Sequence, residues 1–269
     1  MTVRLRGRGK ERNRVTVITD PLFYLLALPA VVVLGLSKGG FSGVGQMALP
    51  IMALALPPLE AAAIMLPIMI VQDVAALWVY RKDWNGRILA TMIPGAMLGV
   101  AAAGLLAAHI SDAAVRVFIA VFTLAFVLYN WIGPTRVARE AGAASVPAGV
   151  FWGALSGFTS TICQAGAPPY QMYVLSQRLA KMTFVGTTAI FFATVNWLKI
   201  APYIALGQFS ATGLRTSLVL LPLAIATNLL GFWVVRITPH ELFFRITHVL
   251  LFLISLELLR SGVIGILRG

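Results

Sequence analysis

Charged residues are scarce in this chain of 269 residues: they make up 11% of it, and only nine are acidic. Soluble domains carry about 25% charged residues, so a soluble globular fold is excluded. Stretches without any charge recur at 88–108, 117–135, 182–198, 216–235 and 246–256. Most of them approach the roughly 20 apolar residues that cross a bilayer. With a mean hydropathy of +0.89, the sequence predicts an all-α polytopic membrane protein.

Cysteine and catalytic motifs are nearly absent. Cys163 is the only cysteine, which excludes an internal disulfide and a multi-cysteine metal site. The chain has no GxSxG elbow, no HExxH, no P-loop and no plausible pair of catalytic carboxylates. We therefore expect a protein that is not an enzyme and that holds neither a cofactor nor a metal.

Basic residues outnumber acidic ones, and the formal net charge at pH 7 is +12. Basic residues crowd the N-terminal arm, residues 1–20, at Arg4, Arg6, Arg8, Lys10, Arg12 and Arg14. Such placement is typical of the cytoplasmic side of a membrane protein. A nucleic-acid tail is the alternative, but no aromatic residues accompany the arm. We expect a multi-pass protein of a bacterial inner membrane with a cytoplasmic N-terminus. A single crossing by 21–56 would place the charges at 81–87 and 136–139 on that same side. If a broken segment re-enters rather than crosses, everything after it lies on the opposite side.

A polar, glycine-rich cassette occurs twice in this apolar chain. Residues 35–50 read GLSKGGFSGVGQMALP and residues 153–168 read GALSGFTSTICQAGAP. At a shift of 118 positions, five residues of the first copy meet identical residues of the second: Gly35, Gly39, Ser42, Gln46 and Pro50 match Gly153, Gly157, Ser160, Gln164 and Pro168. Paired Gly/Pro-interrupted segments in two halves mark the binding site of many transporters.

The cassettes divide the chain into two membrane repeats, 21–132 and 147–269, joined by a polar linker at 133–146. Each repeat has about four membrane segments, and Gly and Pro break the first of them. The broken segments cover 21–56 and about 147–176. Unbroken helices are expected at 61–80, 87–108, 113–132, 182–204, 212–235 and 241–261. Whether the repeats are parallel or inverted stays open.

The cassettes supply the candidate binding residues. Unwound backbone at membrane depth persists only where it lines protein or a wet cavity, and half-helix N-termini favour anions. Ser42 and Ser160 either add neutral donors or only allow close helix packing. For Gln46 and Gln164 we favour the site, since burial of an amide without partners is costly.

Further cassette residues join this substrate-binding set. Lys38 either attracts an anion or snorkels to the interface. Cys163 is either a small buried hydrophobe or faces the site beside Gln164. The backbone-relaxing glycines Gly39, Gly43 and Gly157 complete the set.

Asp73 is the acid that lies well inside an early helix. It is either a proton carrier or the partner of a buried base such as Lys199 or Arg215. Asn196, Lys199, Asn228, His248 and Glu257 are further polar groups at membrane depth, most of which we expect to link helices.

The cassettes and the helix plan resemble the TauE/SafE family of anion exporters. The resemblance rests on Gly35–Pro50, Pro57–Ala62 and Gly153–Pro168, followed by Arg178–Lys181 and Gly186–Thr188, and covers about residues 22–262. It implies export of sulfite or a related organosulfur anion, such as a sulfonate, along a path lined by Ser42, Gln46, Ser160 and Gln164. The second cassette departs from the pattern at Thr159, Thr161 and Cys163.

The function predicted is therefore a secondary carrier that exports the anion by alternating access. The alternatives are an anion channel, a carrier of another small anion, and, with less support, a membrane enzyme or a structural subunit. The expected partners are the anion and the lipid bilayer, with no nucleic acid, and a homodimer is allowed.

Overall fold

The computed structural model describes residues 17–18, 20–38, 44–132, 145–237 and 240–268, and its regular elements there are all helical. The first half contains α1 (Pro21–Lys38), α2 (Ala48–Met52), α3 (Pro58–Tyr80), α4 (Gly86–Ala107) and α5 (Asp112–Ile132). The second contains α6 (Val146–Cys163), α7 (Ala167–Val174), α8 (Lys181–Ala205), α9 (Ala211–Ile237) and α10 (His240–Arg268). Short 3-10 turns at Val44–Met47 and Leu175–Gln177 adjoin α2 and α7. The prediction of an all-α protein is confirmed.

Six helices of the described ranges are long and apolar enough to cross a membrane. These stretches are Pro58–Trp78, Gly86–Ala107, Asp112–Tyr129, Val146–Cys163, Met182–Ala205 and Ala211–Leu230. The prediction of a multi-pass membrane protein is therefore confirmed. Most helix ends fall within three residues of the expected ones, but α10 continues to Arg268 and α6 begins at Val146, inside the expected linker.

Local sequence signals explain where two of these helices begin. The side chain of Asn85 accepts a hydrogen bond from the Ile88 amide at 3.1 Å at the start of α4. Ser145 accepts one from the Ala148 amide at 3.3 Å at the start of α6. Asn and Ser are favoured N-caps because their oxygens satisfy amides that the first turn leaves unpaired.

Contacts along the helices fix their relative directions. Ser217 of α9 donates to the Ile64 carbonyl of α3 at 2.7 Å, and Gln72 of α3 donates to the Ala224 carbonyl of α9 at 3.1 Å. From the first contact to the second, the residue number rises along both helices, so α3 and α9 are parallel. The Ile18 amide donates to Thr216 at 3.3 Å and Gly35 lies against Thr227, so α1 is parallel to α9 as well.

The second half is oriented by α4, with which both α6 and α8 run parallel. Gly95 and Gly99 of α4 lie against Val150 and Ala154 of α6. The Asn85 amide, just before α4, donates to Thr187 near the start of α8 at 2.9 Å, and Gly104 lies against Pro202 near the other end of α8. α5 and α10 are antiparallel, because Phe126 meets His248 and Gly262 meets Val117.

These directions define two ends of the helix bundle. Face I is the end at which α1, α3, α5 and α9 begin and at which α4, α8 and α10 end. Face II is the end at which α3 and α5 end and at which α4, α6, α8 and α10 begin.

The chain from 146 to 177 turns back on itself. Ser156 of α6 donates to the Gly166 carbonyl at 2.7 Å, and Tyr173 of α7 reaches the Ser145 carbonyl at 3.4 Å. α7 is therefore antiparallel to α6 and returns toward face II. The same holds for 21–56, where Gly45 lies against Leu34 and Ser37 and both α1 and α3 begin at face I. Of the two possibilities for 21–56, these contacts favour re-entry over a single crossing, because α1 and α3 both begin at face I.

Candidate functional site: a polar cavity between the two halves

A cavity of about 200 Å³ lies between α1, α3, α6, α7 and α8. It is smaller than the roughly 300–1,000 Å³ pockets that hold drug-sized ligands, so it suits a small solute. Polar side chains line part of it, among them Gln46, Asp73, Ser160, Gln164 and Asn196. The cavity reaches face II beside Tyr80, Phe184 and Val185.

Lys199 of α8 connects the cavity to the second cassette. Its ammonium donates to Gln164 Oε1 at 2.6 Å, to Ser160 Oγ at 3.2 Å and to the Ser160 carbonyl at 3.3 Å. The residue is fully buried. A buried cation at membrane depth is costly unless it is hydrogen-bonded, and it marks a functional site by default.

Gln164 has an unusual backbone conformation, with φ of 54° and ψ of 22° at the C-cap of α6. This left-handed conformation costs a non-glycine residue roughly 1–2 kcal/mol. It ends α6 in a common way, with the Gln164 amide donating to the Ser160 carbonyl at 3.2 Å and the Ala165 amide to the Thr159 carbonyl at 3.3 Å. Because Oε1 accepts from Lys199, the amide nitrogen faces away from the ammonium. Nε2 is buried and has no hydrogen-bond partner within the described part of the chain. An unpaired donor beside a buried cation is suited to an anion.

Asp73 of α3 lies on another wall of the cavity. Its Oδ2 accepts a hydrogen bond of 2.6 Å from Asn196 Nδ2, and both residues are nearly inaccessible. Asn196 and Lys199 are three residues apart on α8, so one helix face carries both the partner of the acid and the cation. Gln46 lines the cavity from the first half.

The last carbonyls of α6 receive side chains of α8. Lys199 donates to the Ser160 carbonyl, and the Tyr203 hydroxyl donates to the Thr161 carbonyl at 2.8 Å. A cation near a helix C-terminus offsets the partial negative charge of the unpaired carbonyls there. The start of α7 offers fewer free backbone N–H donors than a usual helix N-terminus, because Pro168 and Pro169 have no N–H to donate. Side chains, rather than helix-end amides, therefore supply most of the donors in this cavity.

The structure brings together part of the predicted residue set. Gln46, Asp73, Ser160 and Gln164 line the same cavity. Ser42, Gly39 and Gly43 lie outside the described residues, and Lys38 is the last residue of α1, with its side chain outside them.

Two predicted site residues lie elsewhere. Cys163 is buried at 1% exposure in the apolar core, not among the lining residues. Gly157 lies against the backbone of Ala96, where α6 packs on α4. These positions suit close packing and apolar burial.

Sequence reasoning assigned no site role to Asn196 and Lys199, which it treated as links between helices. A signal was present: Asp73 and Asn196 are 123 residues apart, as are the first residues of α3 and α8, Pro58 and Lys181. The two residues therefore occupy matching places in the two halves.

The fold defines a polytopic α-helical membrane protein, and the small polar cavity between its two halves is the candidate site. A family model described as "Sulfite exporter TauE/SafE" matches residues 27–258. The chain belongs to this family, as the sequence predicted, and the family implies a membrane transporter of sulfite or organosulfur anions. The comparisons with curated proteins and with solved structures give no match.

Proposed function

We propose that this protein is a secondary carrier that exports sulfite, or a small sulfonate, across the inner membrane of a bacterium. The observation that carries the proposal is the unpaired, buried Nε2 of Gln164. Gln164 lines the cavity of about 200 Å³, and its Oε1 accepts from the buried ammonium of Lys199. A sulfur oxyanion has several acceptor oxygens and negative charge, which match an N–H donor and a nearby cation. Gln46 contributes a second amide from the other half.

The carrier is proposed to consist of two inverted repeats, α1–α5 and α6–α10. In this arrangement each helix of α1–α5 corresponds to the helix five places later in α6–α10. The adjacent helices α4 and α6 then correspond to α9 and α1, which are also adjacent. The adjacent pairs α3/α8 and α5/α10 each correspond to themselves. The first repeat begins at face I and the second at face II, which supports inversion. Each repeat opens with a reversal of the chain at its cassette. Inverted repeats around a midplane site are a common basis of alternating access.

The orientation is proposed from the loops. Arg81, Lys82, Arg178 and Lys181 lie at or next to the connections of face II, whereas the face I connections 53–57, 108–111 and 206–210 contain no Lys or Arg. Short cytoplasmic loops are enriched in both residues. The proposal makes face II cytoplasmic, so the cavity is open to the cell interior and can take up an anion for export.

The N-terminal arm favours the opposite orientation, because α1 begins at face I. A cytoplasmic N-terminus is therefore the alternative, and a single measurement separates the two. Ser111→Cys and Ser176→Cys, made in a Cys163→Ala background, place one thiol near each face. A membrane-impermeant maleimide added to intact cells should label position 111 and not position 176; the reverse result would make the N-terminal face cytoplasmic.

Export of an anion needs no coupling ion in principle. A membrane potential that is negative inside favours anion exit by about 2.3 kcal/mol per charge per 100 mV. Export coupled to proton movement is a second mechanism, beside export driven by the membrane potential alone. It is supported by Asp73, which lies on the wall of the same cavity.

Purified protein in liposomes tests the function directly. Efflux of sulfite, sulfate and a small sulfonate should be measured side by side, with and without an imposed potential. Saturable efflux that prefers sulfite, accompanied by counterflow, is the expected result. Efflux without saturation or counterflow would indicate an anion channel, and no movement of the three anions would overturn the substrate assignment.

A further inference from the structure

The cavity has a passage to face II lined by residues of α3, α7 and α8. They are Tyr80, Ala167, Tyr170, Gln171, Phe184, Val185, Thr188 and Ala189. All of them except Tyr170 keep part of their surface exposed. This passage is hereafter called the face II passage.

The second half of the chain can be matched with the first by two shifts that the structure supplies. The cassettes match at 118 residues, and α3 matches α8 at 123 residues, the separation at which Asp73 bonds Asn196. Applied to the face II passage, these shifts give a set of residues next to face I: Tyr203, Leu49, Met52, Ala53, Ala61, Ala62, Met65 and Leu66.

Each of these matching residues is at most 1% exposed. All of them belong to one continuous apolar cluster. One set of residues is therefore open to the cavity while its counterpart is packed shut, and this is the asymmetry that one state of an inverted-repeat carrier requires.

We infer that the buried set is the second half of the substrate path, closed in this state, and that the Tyr203 hydroxyl holds it closed. This inference rests on the proposed function. Tyr203 donates to the Thr161 carbonyl at 2.8 Å, which ties the face I end of α8 to the cassette of α6. Thr161 lies three residues before Gln164, so movement of the site and release of this hydrogen bond are mechanically linked.

The closed passage predicts the chemistry of the exit route. Its residues are alanine, leucine and methionine apart from Tyr203, and none of them carries charge. An anion leaving through it would meet no cation that could retain it along the way. Methionine adapts its shape readily, so Met52 and Met65 can separate without leaving a rigid gap.

Cysteine accessibility tests the inference at two matching positions, in a Cys163→Ala background. Val185→Cys reports on the face II passage and Ala62→Cys on the buried set. In resting vesicles, a membrane-impermeant maleimide should label Val185→Cys from the face II side and should leave Ala62→Cys unlabelled. A small sulfonate, which unlike sulfite does not add to the maleimide, should then increase the labelling of Ala62→Cys from the face I side.

Tyr203→Phe removes the hydroxyl but keeps the ring. It should speed the labelling of Ala62→Cys by roughly fivefold, because one hydrogen bond of ordinary net strength no longer favours the closed state. Tyr80→Phe, at the matching position of the open passage, is the control and should leave that rate unchanged. Elution as a single species in size-exclusion chromatography checks that each variant is folded.

The inference is overturned if Ala62→Cys stays unlabelled with and without the sulfonate while the same variant transports that sulfonate. It is also overturned if Tyr80→Phe accelerates labelling as much as Tyr203→Phe does. Failure of the proposed function looks different: Ala62→Cys would respond to Tyr203→Phe, yet none of the sulfur anions would move.

Discussion

Asp73 and Asn196 lie at matching places in the two halves of the chain and share a hydrogen bond of 2.6 Å between Oδ2 and Nδ2. The acid of one half is thus held by the amide of the other, inside the cavity where both cassettes contribute a glutamine. In the proposed arrangement of two inverted repeats, α3 and α8 correspond to each other, and the bond between Asp73 and Asn196 would lie near the centre of the carrier.

Asp73→Asn tests proton coupling at that centre. The asparagine keeps the size of the side chain but cannot release a proton. If Asp73 carries protons, sulfite transport in liposomes should lose its dependence on an imposed pH gradient and keep its response to the membrane potential. Asn196→Ala, which removes only the hydrogen-bond partner, should retain a pH-gradient dependence. A gradient dependence preserved in Asp73→Asn would show that another group carries the proton.

Lys199→Met tests the cation of the site. The loss of a charge-assisted hydrogen-bonding group costs about 1.5–3 kcal/mol, so the KM for sulfite should rise roughly tenfold to a hundredfold. Arg215→Met, near the start of α9 and not among the hydrogen-bond partners of Ser160 or Gln164, is the control and should transport normally. Unchanged sulfite affinity in Lys199→Met would remove the cation from the binding site.

Gln46→Ala and Gln164→Ala test the two cassette amides. Each change should cut transport strongly while expression stays normal, because each removes a donor from the cavity wall. Gln164→Ala should have the larger effect, since it also removes the acceptor that Lys199 contacts at 2.6 Å. Uptake of labelled sulfite into counterflow-loaded liposomes gives the comparison, and normal uptake by both variants would exclude the amides from the site.

Gly157→Ala separates packing from binding. A Cβ at this position would meet the backbone of Ala96, and overpacking of this kind costs about 1–3 kcal/mol. The thermal midpoint in detergent should therefore fall. Gly207→Asn is the control, because that position has open space around it and a positive φ that asparagine tolerates. A stable Gly157→Ala protein that fails to transport would instead return Gly157 to the binding site.

Several features could be predicted from the sequence because they depend on local composition. The apolar stretches predict most of the membrane helices, since only a helix satisfies its own backbone groups in hydrocarbon. The paired cassettes predicted Gln46, Ser160 and Gln164, which line one cavity. Gly157 and Cys163 belong to the same cassette, but the sequence carries no signal of which side of α6 faces α4 and which faces the cavity.

The sequence by itself determined that this is an all-helical membrane protein of the TauE/SafE family with polar residues concentrated in two cassettes, because hydropathy and motif spacing are properties of the chain alone. Only the tertiary structure decided that 21–56 and 146–177 reverse direction, and that Asn196 and Lys199 of α8 meet Asp73 and Gln164. These outcomes depend on contacts between residues far apart in the chain. Such contacts follow from which helix faces pack together, and the nearly uniform apolar surface of each membrane helix does not encode that choice locally.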